Sequence, residues 1–187
     1  MEILLARHGE TEWSRNKRHT GRTDVPLTEG GRRQAERLRG VLAQREFARV
    51  LSSPLERALD TCRLAGLGER AELSQALMEW DYGDYEGLTT AHIREQRPGW
   101  FLWWDGCPGG ESASAVGRRV DPLLDELRAA RENAVLFAHG HLLRALAARW
   151  VGLGPESGAL LALETATLSV LGYERETAVI QRWNAPA

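Results

Sequence analysis

The chain has 187 residues, enough for one domain with a sizeable core and short for two. With 43% hydrophobic against 27% charged residues it is neither a disordered chain nor a low-complexity one. Twenty-four basic and 26 acidic side chains give a formal charge of −2, so no global field draws the protein onto nucleic acid or anionic lipid, and any anion must be captured by a local cluster.

In chain order, Ile3 to Ala6 is a short apolar run suited to a strand buried on both faces, ending at Arg7-His8-Gly9-Glu10-Thr11. Thr28 can cap a helix whose Ala35, Leu38, Val41 and Leu42 fall at helical spacing. Ala48 to Leu51 reads as a second strand. After it, Ser53-Pro54-Leu55-Glu56 has the form of a capping box with proline at the first helical position, opening a helix that ends near Gly66. A helical stripe runs from Val116 to Leu127, and Pro122 is expected to bend it or start it afresh. Ala134 to Ala138 is a buried strand that breaks at His139-Gly140-His141, before a helix carrying Leu142, Leu143, Leu146 and Trp150. Thr167 to Tyr173 and Ala178 to Trp183 read as a hairpin. Strands alternating with helices predict an α/β domain with a mostly parallel sheet covered on both faces.

The short apolar run at the start is no signal-peptide core, and no stretch of about 18 apolar residues could span a membrane. Cys62 and Cys107 lie far apart without metal-type spacing. A cytoplasmic protein with reduced thiols is the expectation.

In such sheets ligands bind beyond the carboxyl ends of the strands. His8 and His139 each follow a predicted buried strand and each precedes a glycine. If the two strands are neighbours, the imidazoles meet at one rim, with Arg7 beside His8 and Arg57 in the first turn of the helix after the second strand. Gly9 and Gly140 would let backbone approach a bound group. Two histidines, two arginines and exposed amides on one rim describe a phosphate site. His8 could attack phosphorus through one ring nitrogen while the other donates to a backbone carbonyl. Glu79, amid Leu77, Met78, Trp80 and Tyr82, is the candidate proton donor to the leaving oxygen, its carboxyl expected to be kept partly protonated by desolvation.

Four ordered motifs, Arg7-His8-Gly9-Glu10-Thr11, Ser52-Ser53-Pro54-Leu55-Glu56-Arg57-Ala58, Glu79 with Tyr82-Gly83 and Glu86-Gly87, and Ala138-His139-Gly140, resemble the histidine phosphatase superfamily of phosphoglycerate mutase-like fold. The stretches His19 to Thr28, Glu79 to Gly87 and Gly109-Gly110-Glu111-Ser112 look most like its broad-specificity acid phosphatases and sedoheptulose bisphosphatase group. The resemblance implies a single domain over residues 1–187, a three-layer α/β/α sandwich, no metal and no cofactor. It further implies a small phosphorylated substrate, neither nucleic acid nor membrane as partner, phosphorylation of His8, a grip by Arg7, Arg57 and His139, and proton donation by Glu79. Ser14, Thr20, Gly21, Tyr82 and Gly140 would bind substrate. Family members commonly carry Asn where this chain has Ser14, a single hydroxyl in place of an amide. A homodimer is compatible with the sequence.

Other readings stand beside this one. A mutase of the phosphoglycerate type needs the same residues in a closed site. The His139-x-His141 spacing with His8 nearby suits a metallohydrolase but lacks evident carboxylate ligands, and a non-catalytic phosphate-binding module would not need Glu79. His141 is open between a substrate-facing, a supporting and a plain helix-start role, and His19 is open between a substrate wall and none. His92 is expected at the surface. Arg15, Lys17, Arg18 and Arg22 either steer a polyanion or are ordinary loop charges. Trp100, Trp103 and Trp104, in Pro98 to Trp104, either fold over the site as a lid or fill the core.

Overall fold

The computed structural model describes residues 1–186. Six strands form one sheet, β1 (Ile3–Arg7), β2 (Arg49–Ser52), β3 (Ala71–Leu73), β4 (Ala134–Ala138), β5 (Leu168–Glu174) and β6 (Thr177–Ala185). Their order across the sheet is β3-β2-β4-β1-β5-β6. The first four are mutually parallel, and the β5–β6 hairpin adds an antiparallel edge beside β1. The helices are α1 (Glu12–Arg15), α2 (Glu29–Leu42), α3 (Glu56–Leu64), α4 (Thr90–Gln96), α5 (Leu102–Asp105), α6 (Ala113–Ala130) and α7 (Gly140–Trp150).

Alternate residues of the central strands feed two separate cores, as strands buried on both faces require. Ile3, Leu5, Leu51 and Leu136 pack with Val116, Val120, Leu124, Leu142 and Leu146 of α6 and α7 and with Trp80, Trp100 and Trp103. Leu4, Ala6, Val50, Val135 and Phe137 pack with Leu38, Leu42 and Cys62 of α2 and α3. The result is the expected α/β/α arrangement with a mostly parallel sheet.

Register places the site. Arg7 of β1 pairs with Ala138 of β4, so His8 and His139 are the next residues of adjacent strands, and the His8 amide donates to the Ala138 carbonyl at 3.0 Å. Ser52 of β2 pairs with Phe137, and the Ser53 amide donates to the Phe137 carbonyl at 2.9 Å, bringing the second motif to the same rim.

Two expectations are corrected. Pro122 neither bends nor restarts its helix: α6 is continuous from Ala113 to Ala130. Pro122 and Arg118 lie on its exposed side, where the carbonyl that proline leaves unpaired is solvated. Ser53 is not the cap of α3. The cap position is Leu55 without a side-chain bond, and the Glu56 amide is instead met by Asp24 Oδ1 at 2.7 Å, supplied by a distant loop. Gly9 has a structural need that the sequence did not reveal: a Cβ there would run into the Gly31 carbonyl, and one at Gly31 into the Glu10 backbone. The first motif and the start of α2 touch backbone to backbone. Gly31→Ala should therefore cost about 1–3 kcal/mol by overpacking, read as a lower urea midpoint at constant slope; a midpoint equal to wild type would contradict this contact.

Candidate active site

His8 is 4% exposed. Its Nδ1 lies 2.7 Å from the Gly9 carbonyl, an acceptor only, so Nδ1 carries the hydrogen and Nε2 keeps its lone pair. Burial, then the charges of Arg57 and Arg7, pushes its pKa well below the usual histidine value, so the ring is neutral. The Gly9 amide donates to Thr61 Oγ1 of α3 at 3.0 Å, and that hydroxyl donates to the Arg57 carbonyl at 2.7 Å, coupling the first motif to the second.

Arg57 is fully buried on the first turn of α3. Its Nε donates to His139 Nδ1 at 3.1 Å, Nη1 to the Thr23 carbonyl at 2.9 Å, and Nη2 to the Thr20 and Gly21 carbonyls at 3.0 and 2.8 Å. Because His139 Nδ1 accepts, its Nε2 bears the hydrogen and donates to Ser53 Oγ at 2.8 Å. Ser53 thus orients an imidazole, which explains why it is absent from the helix cap. Burial first, then Arg57, His8 and Arg7, pushes the His139 pKa well below its usual value. The rings of His8 and His139 stand 5.2 Å apart, tilted by 58°.

Arg7 Nη1 donates to the Leu163 carbonyl, but its Nε is buried with no partner among the described residues. A Cβ on Gly140 would press on this guanidinium at 3.3 Å, so the glycine makes room for arginine beside the start of α7. An unpaired buried donor carries its full desolvation cost until an acceptor arrives.

Glu79 is buried as expected, yet its carboxylate does not face apolar side chains alone. Oε1 accepts from the Trp80 and Leu142 amides at 2.9 and 2.8 Å, and Oε2 from the His141 amide at 3.2 Å. The carboxylate sits on the open amides at the start of α7, bonds the sequence argument did not contain. Sequence reasoning also missed what holds the segment. Arg119 of α6 donates to the carbonyls of Ala76, Met78 and Glu79 and pairs with Glu111 at 2.9 Å, while Glu111 accepts the Asp81 amide. Glu86 grips the loop of Thr20 and Gly21 through the Gly21 and Thr23 amides at 2.9 and 3.1 Å. Glu111 and Glu86 had appeared only as letters in quoted motifs, and nothing local marked Arg119.

A cavity of about 570 Å³ opens above these groups, lined among others by Arg7, Ser14, Thr20, Glu79, Tyr82, Gly140 and His141. His8, Arg57 and His139 lie beneath its lining rather than in it, and Gly21 contributes its carbonyl to Arg57 instead of a wall. The Ser14 hydroxyl caps α1, accepting from the Thr11 amide and donating to the Thr11 carbonyl, both at 2.9 Å. Thr20 Oγ1 donates to the Arg18 carbonyl at 3.1 Å. Tyr82 Oη lies 2.6 Å from His141 Nδ1. Arg15, Lys17 and Arg18 line the mouth, Arg15 already paired with Glu10 and Glu12, whereas Arg22 turns to Asp81. His92 is exposed, as expected.

Of the tryptophan segment, Trp100 and Trp103 are core and Trp104 is 71% exposed, so it is not a lid. Trp103 stands edge-on to Trp80 and near His141, and Trp100 edge-on to His19, backing the cavity wall. A second cavity of about 640 Å³, at Met1, Arg128 and Tyr173, shares none of this chemistry. Among the described residues no group of three or more His, Cys, Asp or Glu is arranged to hold a metal ion, and no helix is long and apolar enough to cross a membrane.

An imidazole with a free lone pair, ringed by guanidiniums and faced by a carboxyl group, defines a phosphate-handling α/β enzyme. The family model of the histidine phosphatase superfamily (branch 1) matches residues 3–186, and the chain belongs to that superfamily. It is 46% identical over 185 residues to an acid phosphatase of Mycobacterium tuberculosis, covering 95% of this chain and 91% of that one. It is 34% identical to the sedoheptulose 1,7-bisphosphatase of Saccharomyces cerevisiae, covering 81% of this chain and 68% of that one. Among solved structures, an open-reading-frame product of Mycobacterium tuberculosis superposes with a TM-score of 0.94 at 41% identity, covering 99% of this chain and 97% of that one. A mycobacterial glucosyl-3-phosphoglycerate phosphatase with VO3 gives 0.87 at 34%, covering 98% of each.

The buried histidines set an acid limit on stability. Burial pushes His19 down to about 4, and His8, His139 and His141 are lowered well below their usual value. Unfolded, each ring takes a proton near pH 6.5; folded, it refuses one until lower pH. The unfolded chain binds more protons in that window, so stability falls as pH drops below about 6.5, by up to about 1.4 kcal/mol per pH unit for each ring. Urea unfolding should show a lower midpoint at pH 5 than at pH 7, and equal midpoints would refute the assignment of neutral rings.

Proposed function

We propose that this protein is a metal-independent phosphomonoesterase that hydrolyses small phosphate esters, of sugars or of phosphorylated small acids, through a phosphohistidine at His8. The observation that carries the reading is the fixed tautomer: Nδ1 is held on the Gly9 carbonyl and leaves the Nε2 lone pair of a neutral ring for phosphorus. The relatives named for acid phosphatase, sedoheptulose bisphosphatase and glucosyl-3-phosphoglycerate phosphatase activity support the reaction class.

In the first step Nε2 bonds to phosphorus as the bond to the ester oxygen breaks, and that oxygen takes the proton of the Glu79 carboxyl group. Arg7, whose buried Nε lacks a partner among the described residues, and the one Arg57 Nη1 hydrogen not given to the Thr23 carbonyl hold the phosphoryl oxygens as charge spreads over them, while His139, engaged at both ring nitrogens, positions Arg57. In the second step water attacks phosphorus and gives its proton to the Glu79 carboxylate, and the Nε2–phosphorus bond breaks to release phosphate and the neutral ring. Tyr82, Thr20, Ser14 and Gly140 surround the leaving group on the cavity wall, and Gly21 acts through Arg57.

Two measurements test this. His8→Ala should fold with an unchanged circular dichroism spectrum and lose at least about a thousandfold in kcat on an aryl phosphate. Rapid acid-free quench of wild type with labelled substrate should place acid-labile, base-stable label on the chain. Turnover by the variant, or a chain never labelled, removes the covalent route. Glu79→Gln should reduce kcat on an alkyl phosphate by about a hundredfold or more and far less on nitrophenyl phosphate, whose leaving oxygen needs no proton. Equal losses on both would remove Glu79 as the donor.

A further inference from the structure

His141, the second residue of α7, takes no part in the steps above, yet it lines the same cavity as Glu79 and Arg7. Its own amide donates to Glu79 Oε2, so the imidazole is carried by the turn that holds the proposed proton donor. Trp103 and Trp80 stand near its ring at centroid distances of 5.6 and 6.3 Å and fix its orientation.

The proton on this ring can be placed by counting partners. Tyr82 is 2% exposed, and burial pushes its pKa well above the usual value, so the phenol keeps its hydrogen. Its hydroxyl has His141 Nδ1, at 2.6 Å, as its one partner among the described residues. If the imidazole donated across this bond, the phenolic hydrogen would be left buried without an acceptor, the costlier of the two arrangements. The phenol therefore donates, Nδ1 accepts, and Nε2 carries the hydrogen. Burial, then Arg144, His19 and Arg7, keeps the ring neutral. Nε2 has no hydrogen-bond partner among the described residues, and the side chain is partly exposed on the cavity wall. Arg144, which also lines the cavity, gives Nε and Nη2 to the Gly158 and Ala159 carbonyls and lies over Trp103.

We infer that His141 is a specificity-determining donor whose Nε2–H, fixed by Tyr82, recognises an uncharged oxygen of the leaving group close to the ester oxygen. The preferred substrates are then phosphate esters of polyhydroxylated alcohols in preference to simple alkyl esters. A neutral N–H suits a hydroxyl or ring oxygen, since it brings no charge to be matched and fails only when the acceptor is missing. The inference rests on the phosphatase reading of the same site.

The test compares glycerol 3-phosphate with propyl phosphate, which differ in hydroxyl groups beside the ester. Wild type should favour the glycerol ester. His141→Phe, which keeps an aromatic ring without the donor, should lower kcat/KM for that ester about tenfold, mainly through KM, and bring the two substrates near parity. His141→Gln, with an N–H at the reach of Nε2, should restore part of the preference. Long-range proton–nitrogen correlation spectra of wild type should show the His141 hydrogen on Nε2, and those of Tyr82→Phe a mixture of tautomers. A wild type that hydrolyses both esters without preference, a Phe variant that keeps the preference, or a hydrogen found on Nδ1 overturns the inference and leaves the phosphatase reading standing. A wild type that hydrolyses no phosphate ester at all overturns both.

Discussion

Arg57 is a guanidinium buried without a carboxylate bonded to it among the described residues, and the geometry of the site follows from how that burial is tolerated. Its donors are met by a histidine nitrogen and the carbonyls of Thr20, Gly21 and Thr23. Those partners take four of the five N–H groups and leave the charge uncancelled. The same bonds tie α3, the end of β4 and the 20–23 loop into one rigid body, so the electrostatic demand and the mechanical brace are one feature. Glu79 and Asp24 act on Arg57 only through space, and burial is the larger influence, lowering its pKa.

Burial first, and the positive charge of Arg57 and Arg7 second, keeps the two rim histidines neutral, and each is held in one tautomer by an acceptor or donor the fold supplies. Gly9 fixes His8 and the Arg57–Ser53 pair fixes His139. On the proposed reading an incoming phosphate ester meets donors already oriented, including the Arg7 Nε that has no partner among the described residues, and little reorganisation accompanies reaction. The fold supplies this economically, since two adjacent parallel strands in register deliver Arg7-His8 and His139 from distant parts of the sequence to one edge.

The strands that carry this edge were legible because they are buried on both faces and so appear as unbroken apolar runs. The hairpin was legible from two β-prone segments around a polar turn. β3 was not, since three residues at an exposed edge make no pattern. The role of Ser53 was misread because a local motif, a capping box, was assigned a local purpose, whereas a long-range partner, His139, decides it, and the structural need for Gly9 comes likewise from a distant residue, Gly31. The three amides on Glu79 and the brace by Arg119 and Glu111 depend on where α6 and the start of α7 pack, which no window of sequence contains. The tryptophan segment could have been lid or core from composition alone, and only packing against Trp80 and the cavity wall separates the two.

On the proposed reading the site divides into halves of different origin. The phosphate half comes from strand ends and the first turns of helices, where backbone geometry leaves little freedom. The leaving-group half is built from side chains of irregular segments, Tyr82, His19 and the backing tryptophans, stacked on one another through contacts such as those of Trp100 with His19 and Trp103 with Trp80. The join between the halves is the turn at Gly140-His141, where one residue makes room for Arg7 and the next offers its amide to Glu79 and its ring to Tyr82. On the proposed reading a change at this turn is felt by the phosphate grip and the substrate wall together.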